Sequence, residues 1–349
     1  MMESWLLEAP SRAPPPQDRK PIKLIIQIPC LDEEQSLPGT LAELPRTVAG
    51  IDAVEWLVID DGSRDATARI AEECGVDHIV RLPVNKGLAN AFMAGLERAL
   101  REGADIIVNT DADNQYCAAD IPALIAPILE RRAELVVGDR PIATIDHFSA
   151  VKRTLQGLGS WVVRTASGTR IGDAPSGFRA FSREAALRLN SFDAYTYTLE
   201  TIIQAGLSHM RVVSVPIRVN GETRPSRLIR SMHDYVWRSG NSILRTAMVY
   251  QPGRFLFGTG APLALLGTIL ILRWLGLYFS GTHRAHVPSL LAAAGLLLTA
   301  LLLWIAGIIG ELLAINRRLL QDIQYRLRRG EAAQGEELGD GAGAGARDR

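Results

Sequence analysis

Asp111 and Asp113, one residue apart and followed by Asn114 and Gln115, are the residues of this chain best suited to chemistry. Asp111, Asp113 and Gln115 offer oxygens that can converge on one hard cation. A Mg2+ or Mn2+ ion held in this way takes further ligands from a diphosphate, which implies a nucleotide-linked substrate and a stabilised leaving group. The same residues also fit an Asx-rich turn closing a strand. The pair therefore gains meaning only from its surroundings.

Other polar groups supply those surroundings. Asp60 and Asp61 are adjacent acids ahead of Gly62-Ser63, and a carboxylate there can accept from a base N–H or a ribose hydroxyl. Ser63 and Asp65 fit turn and helix-start chemistry. Arg140 and Arg153, with Lys152 beside the latter, carry guanidinium forks that match phosphate oxygens, although an isolated arginine is usually a solvated surface group. Residues 173–178 read as a tight turn feeding a short strand. The six histidines show no metal-ligand or triad grouping, and the Gly258-Thr259-Gly260 sequence sits in an apolar stretch where a dinucleotide loop has no place.

These residues need a scaffold that gathers them. Apolar runs at 22–28, 54–59, 78–82, 105–109 and 134–137 read as short buried strands. Helical patterns fill the gaps, most clearly at 87–101, where Leu88, Phe92, Leu96 and Leu100 recur at helical spacing. Alternating strands and helices predict an α/β domain, Rossmann-like, with a mostly parallel sheet covered on both faces. Such sheets bind ligands at the carboxyl ends of their strands. Those ends carry Pro29 to Glu34, Asp60-Asp61, Asp111 to Gln115 and Asp139-Arg140.

The 349 residues include 38 basic and 38 acidic side chains and are 47% hydrophobic, which excludes a wholly disordered chain and speaks against a whole-surface nucleic-acid binder. Three separated cysteines (Cys30, Cys74, Cys117) form no metal or disulfide framework and fit a reducing compartment. The hydrophobicity is uneven. Residues 255–272 are 18 without a charge, and 287–310 are 24 more. A bilayer core needs about 20 apolar residues as helix, so both stretches read as spans and not as buried helices of a soluble core. Arg238, Arg245 and Arg254 precede the first; Arg317, Arg318, Arg326, Arg328 and Arg329 follow the second; the loop between holds only Arg284. Basic flanks stay inside, so both termini are expected in the cytoplasm of a multi-pass cell-membrane protein. The expected organisation is a flexible leader (1–20), a catalytic domain (21–225), basic amphipathic interfacial helices (226–254), two transmembrane helices (255–315) and a basic, then disordered, tail (316–349). The amphipathic stretch equally fits packing on the soluble domain.

Pro29-Cys30-Leu31-Asp32-Glu33-Glu34, Val58-Ile59-Asp60-Asp61-Gly62-Ser63, Asn85-Lys86-Gly87, Asp111-Ala112-Asp113-Asn114-Gln115 and residues 173–178 together resemble the ordered motifs of family 2 glycosyltransferases with the GT-A fold. The likeness is to the polyprenyl-phosphate branch, relatives of dolichyl-phosphate mannosyltransferase and undecaprenyl-phosphate glucosyltransferase, and covers roughly residues 22–250. It implies a GT-A nucleotide-diphospho-sugar transferase followed by interfacial helices and a transmembrane hairpin. Pro29, Leu31 and Glu33 would line the nucleotide pocket, Asp60 and Asp61 would hold base or ribose, and Asp111, Ala112 and Asp113 would meet the nucleotide sugar. Asp111, Asp113 and Gln115 would bind Mg2+ or Mn2+. Arg140 and Arg153 would receive the lipid phosphate, joined by Arg224 and Arg227 of a late basic loop. Asp32 stands where the family usually has Asn, Tyr116-Cys117 replaces a frequent His-Pro, and residues 223–227 depart from the usual Gly-x-Ser-Lys. The implied activity is inverting, metal-dependent transfer of a hexose of the mannose or glucose class from a GDP- or UDP-sugar to polyprenyl phosphate at the cytoplasmic membrane face. Another lipid or polysaccharide acceptor, or an inactive nucleotide-sugar-binding scaffold, are the alternatives. No nucleic-acid partner is implied, and a homo-oligomer is left open.

Overall fold

The computed structural model of the protein describes residues 20–141, 163–164, 167–169, 171–189, 197–220, 245, 248–280 and 287–344, with 331–344 as backbone alone. Seven strands form one sheet: β1 (Lys23–Cys30), β2 (Ala53–Asp60), β3 (His78–Arg81), β4 (Ile106–Asn109), β5 (Leu135–Asp139), β6 (Arg179–Ser182) and β7 (Val212–Pro216). Their order across the sheet is β3-β2-β1-β4-β6-β5-β7. Only β6 runs antiparallel to its neighbours β4 and β5. Leu24, Ile25, Ile26 and Ile28 of β1 are all completely buried, as expected of a central strand covered on both faces, where no polar alternation is tolerated. The register pairs Cys30 with Asp60 and Gln27 with Asn109, so β1, β2 and β4 end along one edge.

Helices α1 (Leu37–Glu43), α2 (Thr67–Glu73), α3 (Leu88–Arg101), α4 (Ile121–Leu129), α5 (Arg183–Arg188) and α6 (Thr198–Leu207) cover the sheet. On one face Phe92, Leu96 and Ala99 of α3 pack with Phe181, Tyr197 and Ile202. On the other, Leu37 and Leu41 of α1 and Ile121, Leu124 and Ile125 of α4 pack with Phe178. The five expected strands are present with ends shifted by a residue or two. The strand β7 was not legible, because its five residues are only half-buried or exposed and present no continuous apolar run.

Two long helices follow, α7 (Pro252–Phe279) and α8 (Val287–Ala344). Their apolar windows have mean hydropathies of 2.0 and 2.4, and only 11% and 17% of these windows is covered by the protein itself. Both helices are long enough to cross a bilayer, and their exposed apolar surface suits lipid. The backbone of α8 is helical to Ala344.

Candidate active site

The loops after β1 and β2 are bonded to each other. Asp32 N–H donates to Ser63 Oγ (3.0 Å), Glu33 N–H to Thr67 Oγ1 (2.8 Å) and Glu34 N–H to Asp65 Oδ2 (3.0 Å). In return Arg64 N–H donates to Asp32 Oδ1 (2.8 Å) and Ala66 N–H to Glu34 Oε2 (3.0 Å). Asp32 has φ 54°, a left-handed conformation that Asp and Asn tolerate best, which explains why an Asx residue of either kind serves there. Burial works against ionisation of Asp65, but the hydrogen bonds from Thr67 and Glu34 outweigh it and hold its carboxyl below the usual range. Asp60 and Asp61 are both buried. Asp60 Oδ1 accepts from Ser63 N–H, while the two oxygens of Asp61 accept from the amides of Lys86 and Gly87 at 2.8 and 2.9 Å. Asp61 thus fastens the Asn85-Lys86-Gly87 loop to the strand edge.

Asp111 and Asp113 follow β4. The carbonyl of Ala112 between them accepts from Thr40 Oγ1 of α1 (2.9 Å), and Asp113 Oδ1 accepts from Gln115 N–H (3.2 Å). Burial, then the charge of Asp113, raises the Asp111 carboxyl to about 7. Burial is the larger cause, and the like charge of Asp113 adds to it. Gly177 closes over Asp111: a Cβ on Gly177 would stand 2.9 Å from Asp111 Oδ2 and 3.2 Å from the Tyr197 hydroxyl. Beneath lies a buried polar chain. Gln27 Nε2 donates to Asn109 Oδ1 (2.9 Å), and Asn109 Nδ2 donates to the Gly177 carbonyl (3.0 Å) and to Tyr197 Oη (2.8 Å). The Tyr197 ring stacks on Phe92 at 3.8 Å. Tyr116 occupies the place where a histidine is frequent: its hydroxyl accepts from Gly177 N–H (3.0 Å) and its ring stacks on Phe178 (5.2 Å). Burial, with Asp111 nearby, pushes the Tyr116 phenol up to about 12, so it stays protonated.

Arg140 sits at the end of β5 and forks onto the completely buried Asp173, with Nε–Oδ2 2.6 Å and Nη2–Oδ1 3.0 Å. Burial, then Asp173, raises the neighbouring Asp139 carboxyl. Arg179 is completely buried, and among the described residues it donates to neutral oxygens: the carbonyls of Ser176, Thr198 and Ala174 and the Thr201 hydroxyl. Burial pulls its guanidinium down to about 10, still protonated at neutral pH. Arg140 thus holds Asp173, and Arg179 holds the carbonyls of Ala174 and Ser176, so the 173–178 turn is fixed from two sides.

Pro29, Leu31, Glu33, Asp60, Asp61, Asp111, Ala112, Asp113, Gln115 and Arg140 thus all lie at the carboxyl ends of the strands or in the loops that leave them. Arg153, Arg224 and Arg227 fall outside the described residues, as does most of the 226–254 stretch. Among the described residues no three His, Cys, Asp or Glu side chains converge into a cage. Two repelling carboxylates beneath a glycine suit a divalent cation that draws its other ligands from substrate and water. Gln27, Asn109, Tyr197 and Arg179 were not singled out from the sequence. The only available signal was Asn109, a polar residue closing an apolar run just before Asp111.

This fold, with acidic loops at the carboxyl edge of a mostly parallel sheet, is that of a GT-A glycosyltransferase. Residues 25–189 match the model of glycosyl transferase family 2. An uncharacterized glycosyltransferase of Mycobacterium tuberculosis is 35% identical over 212 residues, covering 59% of this chain and 90% of its own. The undecaprenyl-phosphate mannosyltransferase of Micrococcus luteus is 30% identical over 221 residues, 59% of this chain and 88% of its own. The undecaprenyl-phosphate 4-deoxy-4-formamido-L-arabinose transferase of Shewanella sediminis is 29% identical over 350 residues and extends the match to 90% of this chain and 95% of its own. Among solved structures, glucosyl-3-phosphoglycerate synthase from Mycobacterium tuberculosis shares the fold, with a TM-score of 0.51 at 20% identity over 65% of this chain and 79% of that one. The chain belongs to glycosyl transferase family 2 and is a glycosyltransferase, with its named relatives in the polyprenyl-phosphate branch.

Proposed function

We propose that the protein transfers a hexose from a nucleotide sugar to polyprenyl phosphate at the cytoplasmic face of a membrane, with inversion at the anomeric carbon. The observation that carries this reading is the pair Asp111 and Asp113, one residue apart just past β4 with Gly177 over Asp111, in a chain that continues into two apolar helices of bilayer length. The mannosyl and formamido-arabinosyl transferases named above, which by name act on undecaprenyl phosphate, support the acceptor class. Asp111 and Asp113, with Gln115 beside them, would hold Mg2+ or Mn2+. When bound, that ion would neutralise the donor diphosphate and stabilise it as a leaving group.

The interlocked loops bearing Leu31, Glu33 and Asp60 would form the nucleotide wall. The acceptor phosphate has a second pKa near 6, so at neutral pH it is a dianion and needs no general base. Its oxygen bonds to C1 as the bond from C1 to the diphosphate breaks and the nucleoside diphosphate leaves with the electron pair. The cleft is rich in carboxylates, and Arg140 is already shared with Asp173. Arg140 would thus act with Arg153, Arg224 and Arg227 to bring the second anion in.

The test combines purified protein in nanodiscs, Mn2+, a panel of GDP- and UDP-hexoses, and undecaprenyl phosphate. The expected product is a sugar phosphodiester labile to mild acid. Turnover on free prenol or diacylglycerol with none on the phosphate would overturn the acceptor assignment. A cysteine placed at Thr282 should be labelled from outside intact cells and a C-terminal tag should not; the opposite pattern would overturn the cytoplasmic placement.

A further inference from the structure

The second apolar helix does not end where the hairpin ends. Pro252, the first residue of α7, packs against Gly310, and Gly253 faces Glu311, so the paired apolar section closes at this level. The helix α8 runs on. At 1.5 Å per residue, Tyr325 lies about 21 Å beyond Glu311 along its axis. There it meets the catalytic domain. The Tyr325 hydroxyl donates to Glu184 Oε1 (2.8 Å), and the Arg188 guanidinium lies 4.8 Å over the Tyr325 ring. Arg328 donates to the Leu189 carbonyl (2.8 Å) and to Glu97 Oε1 of α3 (3.1 Å). Nearer the hairpin, the Arg317 guanidinium lies 4.2 Å over Tyr250, whose hydroxyl donates to the buried Glu200 (2.6 Å).

Residues 317, 325 and 328 fall on one helical face, so a single straight helix makes all these contacts. Tyr250 and Tyr325 pack on the same core cluster as Phe92 and Tyr197, and Tyr197 is bonded to Asn109 beneath Asp111. A packed core transmits position instead of absorbing it. The carboxylate site is thus connected to the membrane hairpin through packed and hydrogen-bonded side chains.

We propose that the extension of α8 past Glu311 is a rigid stalk that fixes the height of the active site above the bilayer, with Tyr325 and Arg328 as positioning residues that favour acceptors whose phosphate lies at the membrane surface. This rests on the polyprenyl-phosphate reading above. Holding two reactants at a matched height raises their effective concentration, an advantage that vanishes for an acceptor diffusing freely in water.

The experiment compares the full-length protein in nanodiscs with Tyr325→Ala/Arg328→Ala and with the milder Tyr325→Phe/Arg328→Gln. Each is assayed on embedded undecaprenyl phosphate and on a short, water-soluble prenyl phosphate. Height is read separately, by energy transfer from a dye on Arg69→Cys to headgroup-labelled lipid, with Cys74 and Cys117 replaced by Ser. The alanine pair should lose tenfold or more on the embedded acceptor and stay within twofold on the soluble one, while the energy-transfer distribution broadens. Equal losses on both acceptors, no loss on either, or an unchanged distribution would overturn the stalk. If the unmodified protein uses neither phosphate, the functional reading fails, and the energy-transfer measurement alone decides the stalk.

Discussion

The close approach of Gly177 to Asp111 makes Gly177→Ala a sharp probe of the carboxylate pair. The added methyl would lie 2.9 Å from Asp111 Oδ2 and 3.1 Å from Oδ1, short of ordinary contact at 3.4 Å by about half an ångström. Tyr197 cannot yield easily, because its ring is stacked on Phe92 at 3.8 Å and its hydroxyl is bonded to Asn109. The carboxylate of Asp111 must move instead. Overpacking of this kind costs about 1–3 kcal/mol. If about 1.4 kcal/mol of it falls on the metal-binding geometry, affinity drops about tenfold. Gly172→Ala supplies the control: its methyl would stand 2.9 Å from Asp139 Oδ2, a comparable clash with a carboxylate that is not part of the pair. Calorimetric titration of each variant with Mn2+ in the presence of nucleoside diphosphate, alongside thermal unfolding without metal, separates the effects. Both variants should lose stability, and only Gly177→Ala should lose metal-dependent binding. Equal weakening by the two substitutions, or wild-type Mn2+ affinity in Gly177→Ala, would refute the argument.

Two further outcomes follow from the electrostatics. Asp111 is raised to about 7 in the folded chain from about 3.9 when unfolded, so its ionisation opposes folding; the penalty is absent below the lower value and complete above the upper. Asp111→Asn should therefore raise the Tm of the metal-free protein at pH 8 and leave it nearly unchanged at pH 4, while abolishing Mn2+-dependent nucleotide binding; an unchanged Tm at pH 8 would count against a buried Asp111 carboxylate that opposes folding. Arg140→Ala removes the fork from a completely buried Asp173, a type of loss that costs about 3–5 kcal/mol, so its urea midpoint should fall together with transfer activity, and an undiminished midpoint would show that the pair does not hold the 173–178 turn.

The parts of this fold legible in the sequence were those whose physical demands are local. A strand buried on both faces must be almost wholly apolar, as Leu24, Ile25, Ile26 and Ile28 are around the single buried Gln27, and acids placed just after such a run stand out. Asp60, Asp61, Asp111 and Asp113 were recognisable for that reason. The buried chain under the site was not, because Asn109 meets Tyr197 across 88 residues and neither residue carries a periodic signature. Arg140 looked like a free phosphate ligand because its partner Asp173 is 33 residues away in a segment that reads only as a loop. The reversal of β6 was equally hidden: four residues show burial but not direction. Arg179 illustrates the same limit, since nothing in its neighbours announces a guanidinium that donates to three carbonyls and a hydroxyl.

The mutual bonding of the loops after β1 and β2 has a kinetic consequence. The amides of Asp32, Glu33 and Glu34 are held by acceptors on the second loop, and those of Arg64 and Ala66 by acceptors on the first. Neither loop can swing away without exposing the amides of both. In hydrogen–deuterium exchange the five should therefore open as one cooperative unit, at one free energy, although they belong to separate strand–helix connections. If these loops form the nucleotide wall proposed above, a donor would meet a preassembled plate, the ordering entropy of two independent loops having been spent during folding.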